Sequence, residues 1–387
     1  MAGSLMRANA PEADPDVDDP QILRRARIAL ASVCEPGEPG LPDAIDTFGP
    51  GAVIARLLRS DTGLRVARKA AIGERLAALD LTQVLDRTEE IGARIIVPGD
   101  REWPHQLTDL GPRRVLALWL WGSADLRLHA LRSVAMVGAR ACTRYGEFVA
   151  REWSAALSQE GVTVVSGGAY GIDAAAHRGA LAVDRATICV LAGGVDNVYP
   201  RGHDGLFAQI IERGVLVSEA PPGEVVRRRR FLSRNRVIAA LASATCVVEA
   251  AARSGAASTA HHAVELARPV LAVPGAVTSA TSAGTNKLIA EQIAALAADP
   301  CDVAAMIGPL QVSDQPGERF DGRRSAQYRE VIDALSVHAG RTATSIARRS
   351  GVEDKQVRAH LATAQRFGEA RVDEWELWRY VPGASSA

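Results

Sequence analysis

Six short apolar runs recur between Ser133 and Gly275: SVAMVG, VTVVSGG, TICVLAGG, VLVSEA, TCVVEA and PVLAVPG. Most close on glycine or a small polar residue. Alanine-rich helical segments lie between them, among them Glu147–Gln159, Asp173–Ala182 and Thr259–Leu266. A strand that is apolar on both faces must be covered on both faces. Strand and helix alternating at this spacing therefore predict a parallel sheet between two helical layers. Right-handed crossovers make that an α/β, Rossmann-like, doubly wound parallel sheet. Two earlier runs, ARIIVPGD and RVLALWLWG, read as further strands.

The flanks differ in character. Residues 1–20 are polar, acidic and proline-bearing, and are expected to be a disordered tail. Residues 21–90 read as a small helical domain. Within it, AIDTFGPGAVIARLL gives two helices joined by a turn built on Gly49 and Gly51, either a DNA-contacting helix-hairpin-helix or a plain helical hairpin. The Rossmann-like core is expected over 91–308 and a polar linker over 309–322. Residues 323–387 give three helices and a hairpin, the element order of a winged helix.

Charge and cysteine usage narrow the function. Lys and Arg balance Asp and Glu at 45 each, so any basic site must be local. Five cysteines, widely spaced and without a C-x-x-C pair, argue against a disulfide framework or a zinc site. There is no signal-peptide pattern, and no apolar run reaches the roughly 18 residues of a membrane helix. A cytoplasmic location, without membrane, metal or cofactor, is the expectation.

In an open parallel sheet, ligands bind beyond the carboxyl ends of the strands. Three such ends stand out. In VGARACTRYG, Gly138 allows a tight turn, Arg140 projects, and Tyr145 and Gly146 open a helix whose free N–H groups would face an anion. In SGGAYGID, Ser166 leads into Gly167, Gly168 and Gly171, whose amides form a candidate phosphate nest around Tyr170. Asp173 is expected to cap the following helix. With His177 one turn on, it forms a nominal acid-base pair, better read as a cap and a packing histidine. In VVRRRRFLSRNRVIAAL, six arginines fall within ten residues, namely Arg227, Arg228, Arg229, Arg230, Arg234 and Arg236, with no acid among them. Forked guanidiniums in a row suit a polyanion. Near the last strand, Gly284, Thr285, Asn286 and Lys287 are weaker candidates. No acid follows the second strand to hold a ribose, and there is no G-x-G-x-x-G, so a dinucleotide is disfavoured.

The motifs VGAR, YG, SGGAYGIDAAAHRGAL, VLAGGVDNVYP, SEA, FLSRNRVIAAL, VVEA, SGA-STA, VPG and GTN-LI follow one another over Arg94 to Gly308. In order and spacing this set resembles the DprA/Smf DNA-processing family. The resemblance implies an extended Rossmann fold that binds single-stranded DNA, protects it during natural transformation or recombination, loads RecA recombinase, and forms a homodimer. It implies no enzymatic activity. Carried over residue by residue, it makes Arg140 part of a phosphate pocket and Arg228 a second grip on the strand, with Arg234, Asn235 and Arg236 as the RNR triplet. Asn286 and Lys287 stand in its GTN-LI segment. The chain departs from the family at Tyr170, where an arginine is common, and in IAALA and GAASTA. Tyr170 suits base stacking, although the scarcity of aromatics makes stacking a minority contribution.

Two other functions fit parts of the chain. One is a nucleotide-processing Rossmann enzyme like the lysine-decarboxylase-like phosphoribohydrolases, resting on Asp173 or Glu249. Against it, their P-G-G-x-G-T-x-x-E motif has no counterpart in PGAVTSATSAGTN. The other is a duplex-DNA regulator acting through the C-terminal helices, where Arg348, Arg349, Lys355 and Arg358 cluster but Glu353, Asp354 and Glu369 dilute the charge.

Overall fold

Alternating burial along the strands sets the architecture. In the strand β3 (Ser133–Val137), Val134 and Met136 join one apolar layer while Ala135 and Val137 join the other, as the two-residue period of a strand requires. The computed structural model describes residues 19–61, 63–252, 254–308, 326–337, 339–366, 369–373 and 375–381. The expected tail and linker lie almost wholly outside these residues.

Five helices come first: α1 (Pro20–Val33), α2 (Leu41–Phe48), α3 (Pro50–Leu58), α4 (Lys69–Ala77) and α5 (Leu81–Glu90). Gly49, at φ 78°, joins α2 to α3, and Pro50 starts the second helix, where a missing N–H costs nothing. Gly51, expected in that turn, lies inside α3 instead. The sheet region then runs β1 (Arg94–Ile96), β2 (Leu118–Trp121), α6 (Leu126–Ala130), β3, α7 (Arg144–Gln159), β4 (Thr163–Ser166), α8 (Ile172–Ala182), β5 (Thr187–Val190), α9 (Asp204–Arg213), β6 (Val215–Ser218), α10 (Arg228–Leu241), β7 (Ala244–Val247), α11 (Gly255–Glu265), β8 (Val270–Ala272), α12 (Ala283–Ala290), β9 (Ala295–Leu296) and α13 (Pro300–Ile307).

Nine strands form one sheet in the order β1-β2-β6-β5-β4-β3-β7-β8-β9. From β6 to β9 all neighbours are parallel. The expected parallel sheet is thus present, extended at one side by β2, which runs antiparallel to both β6 and β1. Helices α7, α8 and α13 cover one face; α10, α11 and α12 cover the other. The order reverses between β3 and β7, which places the ligand-binding crevice of a doubly wound sheet there.

The N-terminal helices have their own core around Leu30, Leu41, Val53 and Leu57. Through Ile28 and Ala31 of α1 they also share a cluster with Trp119 and Phe207 of the sheet region. Contacts divide the chain into two compact units, one ending at Leu310 and one beginning at Gln311. The second holds α14 (Ala326–Asp333), α15 (Ala343–Ser350), α16 (Asp354–Arg366) and the antiparallel pair β10 (Ala370–Val372) and β11 (Trp378–Tyr380) around Val331, Ile346, Val357 and Leu361. Among the described residues all five cysteines are free, and Cys189 and Cys246 are core residues, as their apolar flanks predict.

Trp119 is fully buried in β2, paired with Ile95 on one side and Ser218 on the other. Trp119→Ala should lower stability by about 3–5 kcal/mol through the cavity it leaves, read as a drop in the urea midpoint. A change under about 1 kcal/mol would mean that β2 is not an integral strand of this core.

Candidate nucleic-acid interface

The reversal point between β3 and β7 holds a carboxylate of the protein itself. Glu249, just after β7, is buried. Its Oε2 accepts from the Thr143 amide at 2.9 Å, and its Oε1 accepts from the hydroxyls of Thr143 at 2.6 Å and Thr281 at 3.2 Å. Thr143 also caps α7 by accepting from the Gly146 N–H at 3.1 Å. The anion expected at this helix start is therefore already there, in the form of Glu249. Gly146 leaves room for it, since a Cβ at that position would lie 2.4 Å from the carboxylate. Gly138 is small for a related reason: a Cβ there would lie 2.5 Å from Ile172 and 2.9 Å from the Glu249 carbonyl. Its lack of a side chain permits close packing at the crossing.

The second loop is closed in the same way. The amides of Gly167 and Ala169 both donate to Asp173 Oδ2, at 3.2 and 3.4 Å. Asp173 lies within the first turn of α8, whose cap position is Gly171, so its carboxylate turns back to the loop instead of capping the helix. Burial pushes the Asp173 carboxyl above its ordinary range, against the pull of Arg234, the two amides and Arg140. Ser166 is buried and donates to the Met136 carbonyl at 2.6 Å. Gly168 packs on Phe207 and Cys189, and Gly171 on the carbonyls of Ala139 and Arg140. Of the nest expected from Ser166, Gly167, Gly168 and Gly171, the Gly167 amide is thus taken by Asp173 and the Ser166 hydroxyl by the Met136 carbonyl. Asn286 bonds both ways to the Gly275 backbone, at 3.2 and 3.0 Å, pinning the loop after β8, while Lys287 is exposed and pairs with Glu291 at 3.7 Å.

The arginine run does not stay together as one cationic row. It forms the start of α10, and the helical period divides it. Arg230, Arg234 and Arg236 turn inward and are buried; Arg227, Arg228 and Arg229 are exposed. Acids far away in sequence supply the compensation that the run itself lacks. Arg230 meets Glu35 at 3.0 Å and Glu224 at 2.8 Å, and Arg236 meets Glu219 at 2.6 and 2.7 Å. Burial works against the charge on Glu35, but Arg230, Arg227 and Arg75 hold its carboxyl below the usual range. Arg234 donates to the carbonyls of Gly167, at 2.8 Å, and Val190. Asn235 is buried and donates to the Gly255 carbonyl at 3.2 Å. Arg234, Asn235 and Arg236 therefore brace the fold through these contacts.

The side chains left facing outward form a different set. Arg140 is exposed and lies over the Phe231 ring, 4.9 Å from its centroid. Tyr199 stands edge-on to Phe231 at 5.8 Å, and Tyr170 edge-on to His203 at 4.6 Å. Both tyrosines are about half exposed, at 49%. Arg228 is exposed on the same turn of α10 as Phe231. Phe231 and Tyr199 escaped selection because scarcity of aromatics speaks to number, not placement. Both stand in quoted motifs, FLSRNR and NVYP, which was the available signal. His177 is fully buried, facing Thr187 through Nδ1 at 2.8 Å. It is out of reach of any ligand at the rim.

The family model for DNA recombination-mediator protein A matches residues 94–308. A putative DNA processing protein DprA of Mycobacterium tuberculosis is 40% identical, over 94% of this chain and 96% of that protein. DNA processing protein A from Streptococcus pneumoniae superposes with a TM-score of 0.61 at 27% identity, covering 75% of this chain and 97% of that one. DNA processing protein A from Helicobacter pylori, in a structure addressing its single-stranded DNA binding mode, gives a TM-score of 0.50 at 25% identity, covering 55% and 94%.

Burial, with nearby Arg234, pushes the His177 imidazole down to about 3. An unfolded histidine titrates near 6.5. Between those values the unfolded chain binds a proton that the folded chain refuses. The contribution is therefore complete above pH ~6.5 and is lost as pH falls toward ~3. His177→Gln should make stability against pH shallower in that window by up to about 1.4 kcal/mol per pH unit, measured by urea unfolding. An unchanged slope would show that His177 is charged in the native state.

Proposed function

The chain belongs to the DNA recombination-mediator protein A (DprA/Smf) family, and from that premise we propose that it binds single-stranded DNA along the carboxyl edge of its sheet. Arg140 and Arg228 supply charge to the sugar-phosphate backbone. Tyr170 and Tyr199 offer ring faces to unpaired bases, with Phe231 supporting Arg140. The observation that carries this is the exposed Arg140 guanidinium stacked on Phe231, beside loops whose Thr143, Gly167 and Ala169 amides are held by Glu249 and Asp173. A polynucleotide needs only a surface with cations and rings. Phosphates carry no sequence information, so binding is nearly independent of sequence.

The protein acts as a binding protein, not an enzyme. In support, the nominal pair Asp173 and His177 is buried and engaged within the fold. The same reading includes protection of single-stranded DNA during natural transformation or recombination, RecA as a partner, a homodimer, a cytoplasmic setting and a C-terminal winged helix, each following from the family. No described helix is long and apolar enough to cross a membrane.

For about five phosphate contacts, the slope of log affinity against log salt should be roughly −3.5. Arg140→Ala should flatten it by about 0.7, and Tyr170→Ala should cost about 1–3 kcal/mol of binding with little change in slope. Fluorescence anisotropy with a labelled oligonucleotide measures both. If neither substitution changes binding, the site is elsewhere.

A further inference from the structure

On the opposite flank of α10 from Arg140 lies a cleft of about 850 Å³ between the N-terminal helices and the helices α10 and α11. Eight arginines line it against two glutamates, Glu35 and Glu38. Even with Glu219 and Glu224 added, the partners of Arg236 and Arg230, cations outnumber acids two to one. Arg68 and Arg75 come from the N-terminal helical region, Arg113 from the turn before β2, and Arg228 and Arg229 from the first turn of α10. Among the described residues, Arg113 and Arg229 are exposed and have neither an ion pair nor a side-chain hydrogen bond. Arg236 lines the same cleft, 2% exposed, and its Nε and Nη1 have no hydrogen-bond partner among the described residues.

We propose that this cleft is a second binding site for the phosphates of a single-stranded polynucleotide, held by Arg113 and Arg229, with Arg68 already paired to Glu38, so that the strand crosses α10 and continues past the Arg140 site. Two placements support a polynucleotide over an acidic protein. Arg228 lines the cleft and stands on the same helical turn as Phe231, over which Arg140 lies, so one helix carries both sites side by side. Exposed Leu232, 57% accessible, lies at the cleft between the cations and offers an apolar rest for a base or sugar. The inference rests on the single-stranded DNA reading above, and adds that strand length decides how many cations are used.

The test uses the full chain and two labelled oligothymidylates, of about six and about twenty nucleotides. The wild-type protein should show a steeper salt slope with the long strand than with the short one. In R113E/R229E the short strand should bind unchanged. The long-strand slope should become shallower by about 1.4, which is about a sevenfold smaller loss of affinity between roughly 50 and 200 mM salt. Thermal unfolding of the variant should be no lower than wild type, because neither side chain has a partner to lose and the new carboxylates face arginines. An unchanged long-strand slope overturns the proposal. So does polyglutamate that binds wild type, fails to bind the variant and does not compete with the long strand, since it assigns the cleft to an acidic protein. Arg140→Ala separates the two claims: it should weaken both lengths. If only the long strand binds, and R113E/R229E abolishes that binding, the cleft stands and the Arg140 site falls.

Discussion

Glu249 sits where the sheet reverses its order, and its two oxygens take hydrogen bonds from Thr143 and Thr281, on the loops after β3 and β8. One strand over, Asp173 gathers the amides of Gly167 and Ala169. Each carboxyl group therefore joins loops at the edge of the sheet. The edge of the sheet is consequently preformed without ligand.

The same logic governs the arginine-rich helix. A helix at the rim must turn one face into the protein, and α10 turns in Arg230, Arg234 and Arg236 along with Val237 and Leu241. Burying a guanidinium is expensive unless it is paired. Glu35, Glu219, Glu224 and the carbonyls of Gly167 and Val190 provide the partners. Glu35 belongs to the loop after α1, so Arg230 also ties the N-terminal helices to the rim. That tie helps to form the cleft in which Arg68 and Arg113 face Arg229 across the helix boundary.

The rings near Arg140 change its character as a ligand for phosphate. A guanidinium resting on Phe231 keeps its edge donors free for an anion while its flat face is occupied. Tyr170 stands where the family often has an arginine. It exchanges a charge for a half-exposed ring braced by His203. On the proposed reading, the balance at this position moves from ionic contact toward stacking, which is less sensitive to salt.

Local pattern alone determined a great deal. Two-faced apolar strands such as SVAMV and TCVV dictate a covered parallel sheet, and the glycines and small residues after them mark its ligand-facing edge. The position of Arg140 just past β3 follows from those two facts, because strand ends are local events. Which cations and amides stay open was decided only by tertiary structure. Arg228 and Arg234 are chemically identical in sequence, yet one is exposed and the other is sealed beneath Gly167. The difference depends on which side of α10 the sheet lies, and on acids up to about two hundred residues away that pair with the inward arginines. Burial and long-range ion pairing are properties of the packed chain, and a linear run of charges does not contain them.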